Sequence, residues 1–260
     1  MTTIYTFQQF EKLLETIRRD RVTRWADVEE AFLSAISAFD SVFVAQQMGS
    51  GDYKAKARYY NEAVAALIEN GTGTHIGQRG KRKGMVLPRH DVDLVFPDPL
   101  EISPSRRAAL KPIAAGETKI AGTPPYPGNH ASSSSAGRPV SQDLDKRVRE
   151  MMATSIDLKT QWSPGPVALS QAGLAAARPL YVVFYGCRIA GPADQRGVIR
   201  RLGALARLYV DAVGLFMYHA PNEDQPTTYE TIPASPGLTM DAVIEVFCRC
   251  VRNEMESQAA

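Results

Sequence analysis

The chain has 260 residues, a formal net charge of +2, and 44% hydrophobic and 22% charged residues. These values are typical of a globular protein with one large domain or two small ones. No run approaches the roughly 18 apolar residues that a membrane-spanning helix needs, and residues 1–5 lack the basic and apolar regions of a secretory signal. The three cysteines do not have the spacing of a metal site. Together these features predict a cytoplasmic protein with no membrane partner.

The N-terminal third of the chain is predicted to be helical. Apolar residues recur at helical spacing over residues 7–19, 26–44 and 59–69. The third of these helices has one apolar stripe, so we expect it to pack on a sheet. A basic turn is expected after it, over residues 77–84.

A strand that carries two aspartates is predicted over residues 91–96. Apolar side chains alternate there with Asp91 and Asp93, so the two acids share one face. Residues 97–141 contain eight of the 17 prolines and a run of serines, and we interpret most of this segment as a loop. Within it, residues 113–122 have the one sequence typical of a strand.

Helices and strands alternate in the C-terminal half. Strands are predicted over residues 155–160 and 180–185, and the second is the clearest because it is mostly β-branched and aromatic. Helices are predicted over residues 142–152, 196–213 and 239–252.

The order of these elements predicts an α/β fold with a mixed central β-sheet flanked by helices and with extra helices at both termini. We divide the chain into an N-terminal helical segment (1–50), a core that contains the proline- and serine-rich loop (51–215), and a C-terminal helical extension (216–260). The terminal helices are candidates for a dimer interface.

A cluster of basic residues lies between His75 and His90, with no acidic residue among them. Closely spaced cations can pair with phosphates and release counterions, so we predict that this cluster contacts DNA. A basic residue of the long loop is a further candidate contact. The predicted DNA-binding residues are Arg79, Lys81, Arg82, Lys83, Arg89 and Arg138.

Three residues on two predicted strands have the chemistry that phosphodiester hydrolysis requires. Asp93 and Glu117 are carboxylates that can hold Mg²⁺ while leaving water in its coordination shell. Lys119 follows Glu117 by two residues, so in a strand both side chains emerge on the same face. Its ammonium would then reach the attacking water or a phosphate oxygen, provided that the two strands are adjacent and antiparallel.

This pattern resembles the core of the PD-(D/E)xK nuclease superfamily, which includes most type II restriction endonucleases. An acidic helix precedes a strand with an aspartate, and Glu117-Thr118-Lys119 follows. Val92 precedes Asp93, at the position where the motif that names the family has a proline. The resemblance covers roughly residues 53–210 and implies a restriction-endonuclease-like core. The catalytic residues that it implies are Asp93, Glu117, Lys119 and Glu62, of which Asp93 and Glu117 would bind Mg²⁺.

A second D-x-K pattern, Asp157-Leu158-Lys159, leaves the choice of site residues open. If residues 97–141 are wholly an insertion, Asp157 and Lys159 would take the places of Glu117 and Lys119.

Two other functions remain open. Asp91 and Asp93 also resemble the D-x-D motif of polymerase-β-type nucleotidyltransferases, in which Asp157 would be the third acid. That family holds a triphosphate with a glycine-serine pair, and this chain has Gly77-Gln78 instead. A non-catalytic DNA-binding protein is the other alternative.

We interpret the chain as a Mg²⁺-dependent endonuclease, and specifically as a type II restriction endonuclease that acts on double-stranded DNA. Cleavage of both strands at a palindrome requires two sites related by a twofold axis, so a homodimer is expected. The sequence has no Walker-type phosphate-binding loop that would power a translocase.

Overall fold

The computed structural model describes residues 3–46, 50–82, 90–97, 112–125, 140–162 and 179–260. None of the helices within these ranges is long and apolar enough to cross a membrane. The helices are α1 (Thr3–Arg19), α2 (Glu29–Gln46), α3 (Ser50–Thr72), α4 (Ser141–Trp162), α5 (Pro192–Leu208) and α6 (Met240–Ala259), with a short 3-10 helix at Trp25–Asp27. The strands are β1 (Gly77–Arg82), β2 (His90–Phe96), β3 (Ala114–Ala121), β4 (Leu180–Arg188), β5 (Ala212–His219) and β6 (Glu230–Ile232).

The six strands form one sheet in the order of the sequence, β1-β2-β3-β4-β5-β6. The first three strands are antiparallel to one another, β3, β4 and β5 are parallel, and β6 returns antiparallel to β5. The prediction of an α/β fold with a mixed sheet, flanking helices and extra terminal helices is confirmed.

Helices cover both faces of the sheet. On β4, Val182 and Phe184 belong to a hydrophobic cluster with α1, α2, α3 and α6, and we call this side the first face. The alternate residues Tyr181, Val183 and Tyr185 belong to a cluster with α4 and α5, which we call the second face. Because side chains of a strand alternate between its two sides, each position along β3 can also be assigned to a face.

The terminal helices pack on α3 within the cluster of the first face. Phe10 of α1 stacks on Tyr59 of α3, with ring centroids 4.8 Å apart. Asp241 in the first turn of α6 accepts a hydrogen bond from the backbone N–H of Trp25. The proposed division of the chain into three parts and the use of these helices for dimerisation stay predictions.

Two of the predicted segments have a different structure. Residues 77–82 were expected in a basic turn, but they form the edge strand β1, because β2 supplies their hydrogen-bond partners and outweighs the weak strand preference of glycine and lysine. Residues 155–160 were expected as a strand, but they continue α4, where Met151 and Leu158 are buried at helical spacing.

Two strands of the structure, β5 and β6, are not predicted from the sequence. The helix expected over residues 196–213 ends at Leu208, and β5 begins at Ala212. The run from Val213 to Tyr218 is apolar and fully enclosed by helices, so it has no alternation of polar and apolar residues to mark it as a strand. The three-residue strand β6 is too short for any periodicity.

Candidate active site

The two acidic residues lie where the pairing of β2 with β3 stops. The last paired residues are Leu94 and Gly116, and the next residue on each strand is Asp93 and Glu117. The backbone N–H of Thr118 donates to Asp93 Oδ2 at 2.9 Å. The side chain of Asp93 therefore connects the two strands at the point where their backbones separate.

Lys119 bridges the two carboxylates. Its Nζ lies 3.2 Å from Asp93 Oδ2 and forms a close ion pair with Glu117 Oε1. Glu117 and Lys119 alternate with Ala115, which is buried on the second face, so both emerge on that side of the sheet. The structure thus brings together the two acids and the amine, on adjacent antiparallel strands.

The residue between them points to the other side of the sheet and contacts α3. The hydroxyl of Thr118 lies 3.0 Å from Asn61 Oδ1 and 3.3 Å from Asp93 Oδ2. A hydroxyl has one proton and donates it to one acceptor at a time, so the two contacts compete. Asn61 is itself buried. The network fixes the orientation of the Asp93 carboxylate from the side opposite Lys119.

Burial dominates the electrostatics of this group. Burial raises the pKa of Glu117 to about 7, Lys119 opposes the rise, and the negative charge of Asp93 adds to it. For Lys119, burial alone would lower the pKa, but the charges of Glu117 and Asp93 outweigh burial and raise it. At neutral pH, Lys119 is therefore charged and Glu117 is close to its midpoint.

Each carboxylate has one oxygen that no described protein group contacts. All the contacts of Asp93 go to Oδ2, which leaves Oδ1. Glu117 Oε2 is buried without a hydrogen-bond partner among the described residues, which is costly for a polar atom, and a bound cation would relieve this cost.

Two carboxylates are suited to a hard divalent cation such as Mg²⁺. Within the described parts of the chain, no three histidine, cysteine, aspartate or glutamate side chains are grouped as metal ligands. Mg²⁺ needs fewer protein ligands, because it keeps several waters and is bound by one or two carboxylates together with substrate phosphates. Asp93 and Glu117 can supply that pair.

A cleft of about 410 Å³ opens beside Asp93 and Lys119. Its walls are the first half of α3, the C-terminal end of β3, and single residues of α4 and β4. Asp93 is the one acid among the described residues that line it, so the cleft is suited to an anionic ligand. The cations that line it are Lys54, Arg58, Lys119 and Arg147; Lys56 also borders it, but its ammonium is buried against Asp40.

The predicted helix acid lies apart from this group. Glu62 pairs with Arg58, one turn earlier on α3, at 3.5 Å, and it does not line the cleft. The neighbouring residue Asn61 does. Consecutive residues of a helix are about 100° apart around its axis, and here Asn61 faces the cleft while Glu62 is turned away from it. Of the four predicted catalytic residues, the structure brings three together.

The second D-x-K pattern does not join the site. Asp157 and Lys159 lie on α4 rather than on a strand. Lys159 Nζ lies 2.9 Å from both carboxylate oxygens of Asp211, and neither Asp157 nor Lys159 lines the cleft. Asp157 is also not on a later strand, where the nucleotidyltransferase resemblance requires its third acid.

The structure describes few of the predicted DNA contacts. Asp91 lies in β2, and its side chain is outside the description. The backbones of Arg79, Lys81 and Arg82 lie in β1, again without described side chains, and Lys83, Arg89 and Arg138 lie outside the described residues. Their roles stay predictions.

Comparison with known proteins gives no relative. No protein-family model matches the chain. No curated protein and no solved structure matches it either. The functional assignment therefore depends on the geometry of the site itself.

Several cleft residues are not identified as site residues by the sequence interpretation. On α3 a signal exists, because Lys54, Arg58 and Asn61 recur with spacings of four and three residues and so share a helix face. Arg147 of α4 has no such signal, since the exposed basic residues Lys146 and Arg149 flank it in the sequence.

Proposed function

We propose that this protein is a Mg²⁺-dependent endonuclease that hydrolyses DNA phosphodiester bonds. The observation that carries the proposal is the ammonium of Lys119 between the carboxylates of Asp93 and Glu117, at the side of a cationic cleft. The order of α3, Asp93 on β2, and Glu117-Thr118-Lys119 on β3 is the order on which the PD-(D/E)xK resemblance is based.

The residues can perform the necessary steps. Hydrolysis requires an activated water and stabilisation of the negative charge that develops on the phosphate oxygens. Lys119, charged at neutral pH, can donate hydrogen bonds to either. Asp93 is held by Thr118 through Oδ2, so its orientation is fixed before the substrate arrives. When bound, Mg²⁺ would polarise the phosphate and lower the pKa of a bound water, and Asp93 and Glu117 would hold it.

Within this class, we further propose a type II restriction endonuclease. A protein of this size that cuts both strands of a palindrome would act as a homodimer, with one site for each strand. Double-stranded DNA would then be contacted by the basic residues between His75 and His90.

The purified protein incubated with supercoiled plasmid and Mg²⁺ tests the proposal. We expect nicked or linear DNA to form without any added nucleotide, and EDTA to prevent its formation. Intact plasmid at all protein concentrations would contradict the proposal.

The same assay separates the alternatives. A nucleotidyltransferase would consume a nucleoside triphosphate and leave the plasmid backbone intact. A DNA-binding protein without catalysis would retard the plasmid in a gel, with strong salt dependence, and produce no new termini.

A further inference from the structure

The cleft extends beyond the carboxylates along one face of α3. Lys54, Ala57, Arg58 and Asn61 all line it. Their spacing of three, four and seven residues is that of a single helix face. Asn61 lies beside Asp93, and Arg58 and Lys54 follow in that order toward the start of the helix. The face therefore leads away from the candidate active site.

The two cations on this face, Lys54 and Arg58, are separated by about the distance between successive phosphates of a nucleic-acid strand. Four residues of an α-helix rise about 6 Å, which is similar to the separation of successive phosphates in an extended nucleic-acid strand. Lys54 and Arg58 are both exposed. Lys119 of β3 is a third cation that lines the same cleft, beside the carboxylates.

Arg58 is oriented in advance for such a contact. Its guanidinium lies 4.6 Å from the centroid of the Tyr59 ring and 3.5 Å from Glu62, yet the side chain is 48% exposed. A guanidinium has five N–H donors, so one carboxylate leaves donors for a phosphate. Among the described residues, Lys54 has no ion-pair partner.

We propose that this face of α3 is a track for one nucleic-acid strand. This proposal rests on the proposed function, because the position of Lys119 marks the phosphate that is cleaved. The next phosphate contacts Arg58, and the one after it contacts Lys54, while Arg147 lines the cleft from α4. The substrate is thus a strand with at least two phosphates on one side of the cleaved bond. A dinucleotide would occupy the cleavage position but would have no phosphate to contact Arg58 or Lys54.

Binding to a fluorescent single-stranded oligonucleotide about 12 nucleotides long, measured by anisotropy in EDTA, tests the track without cleavage. The variant Lys54→Ala/Arg58→Ala removes two charges from the track. The control Lys146→Ala/Arg149→Ala removes two charges from α4 at exposed positions that do not line the cleft. All four side chains are exposed, and thermal unfolding checks that both variants keep the fold.

The track variant should bind about 10-fold more weakly, with the slope of log affinity against log salt reduced by about 1.4, since each lost phosphate contact on a single strand contributes about 0.7. The control should bind within about 2-fold of the wild type. Equal losses in both variants, or no loss in the track variant, would overturn the proposal.

Plasmid cleavage in Mg²⁺ then separates the track from the proposed function. The track variant should cleave supercoiled plasmid more slowly than the wild type, whereas the control variant should cleave it at the wild-type rate. If the wild type leaves the plasmid intact but the track variant alone loses affinity for the oligonucleotide, the track stands and the nuclease assignment falls. If the wild type cleaves and both variants bind alike, the nuclease stands and the track is wrong.

Discussion

Glu117 is the residue of this site whose ionised form is most strongly disfavoured by burial. Burial raises its pKa to about 7, whereas an unfolded chain ionises a glutamate near its ordinary value of about 4.3. Between these two values the unfolded state loses its proton first. The contribution of Glu117 to the free energy of unfolding therefore falls as the pH rises from about 4.3 to 7, and it is constant outside this window.

The substitution Glu117→Gln removes this dependence and keeps the shape of the side chain. From pH 4.3 to 7, we expect the free energy of unfolding of the wild type to fall relative to that of the variant by on the order of 2–3 kcal/mol. Urea titrations of both proteins across this range measure the difference. Parallel stability profiles would show that Glu117 ionises normally in the folded protein.

At the residue scale, the sequence predicts that Asp93, Glu117 and Lys119 lie together, but it does not predict which residues surround them. Asp93, Glu117 and Lys119 are recognisable because strand alternation alone puts Glu117 and Lys119 on one face. The choice of Glu62 rests on its acidity, but the helix turns Asn61 toward the cleft instead. Asn61 is uncharged, and its burial against Thr118 depends on the packing of α3 on β3, so the sequence does not predict this contact.

At the scale of elements, a buried ion pair connects α3 to α2. Lys56 Nζ lies 3.2 and 3.3 Å from the carboxylate oxygens of Asp40 on α2, and both side chains are 0% exposed. The hydroxyl of Tyr229 donates to Asp40 at 2.8 Å. Burial lowers the pKa of Lys56, and Asp40 opposes this. Neither charge can therefore be removed alone without leaving the other buried and unpaired beside the helix that forms one wall of the cleft.

Removing one partner should destabilise the protein strongly. In Asp40→Asn the Lys56 ammonium stays buried without a counter-charge, and we expect a loss of about 3–5 kcal/mol in the free energy of unfolding, measured by urea denaturation. The double variant Asp40→Asn/Lys56→Met removes both charges and should lose much less. A midpoint for Asp40→Asn equal to that of the wild type would mean that the pair does not stabilise α3.

Three of the four elements that differ from the sequence prediction do so for a local reason, and the fourth, β6, is too short for any periodicity. The strand β1 is rich in glycine and basic residues and forms because β2 pairs with it. The segment from Ser155 to Thr160 has apolar residues compatible with either period, and the buried positions Met151 and Leu158 select the helix. The strand β5 is buried on both faces, so its sequence lacks the alternation that marks β2.

At the scale of the whole molecule, β3 determines where the candidate site lies. It is antiparallel to β2 and parallel to β4, so it is the strand at which the sheet changes direction. Its alternate residues send Glu117 and Lys119 to the second face and Thr118 toward α3 on the first. The sequence predicts the strand, but the separation of β2 from β3 at Asp93 depends on the packed sheet and has no signature in the chain.

The central claim is that Lys119 acts in phosphodiester cleavage and does more than neutralise two acids. Plasmid cleavage by the wild type and by Lys119→Ala, in Mg²⁺ and with DNA affinity measured on the same preparations, tests it most directly. We predict that the variant retains affinity within about 3-fold and loses at least about 100-fold in cleavage rate, as expected for a group that stabilises charge in the transition state. Cleavage by the variant at the wild-type rate, or no cleavage by the wild type, would contradict the account.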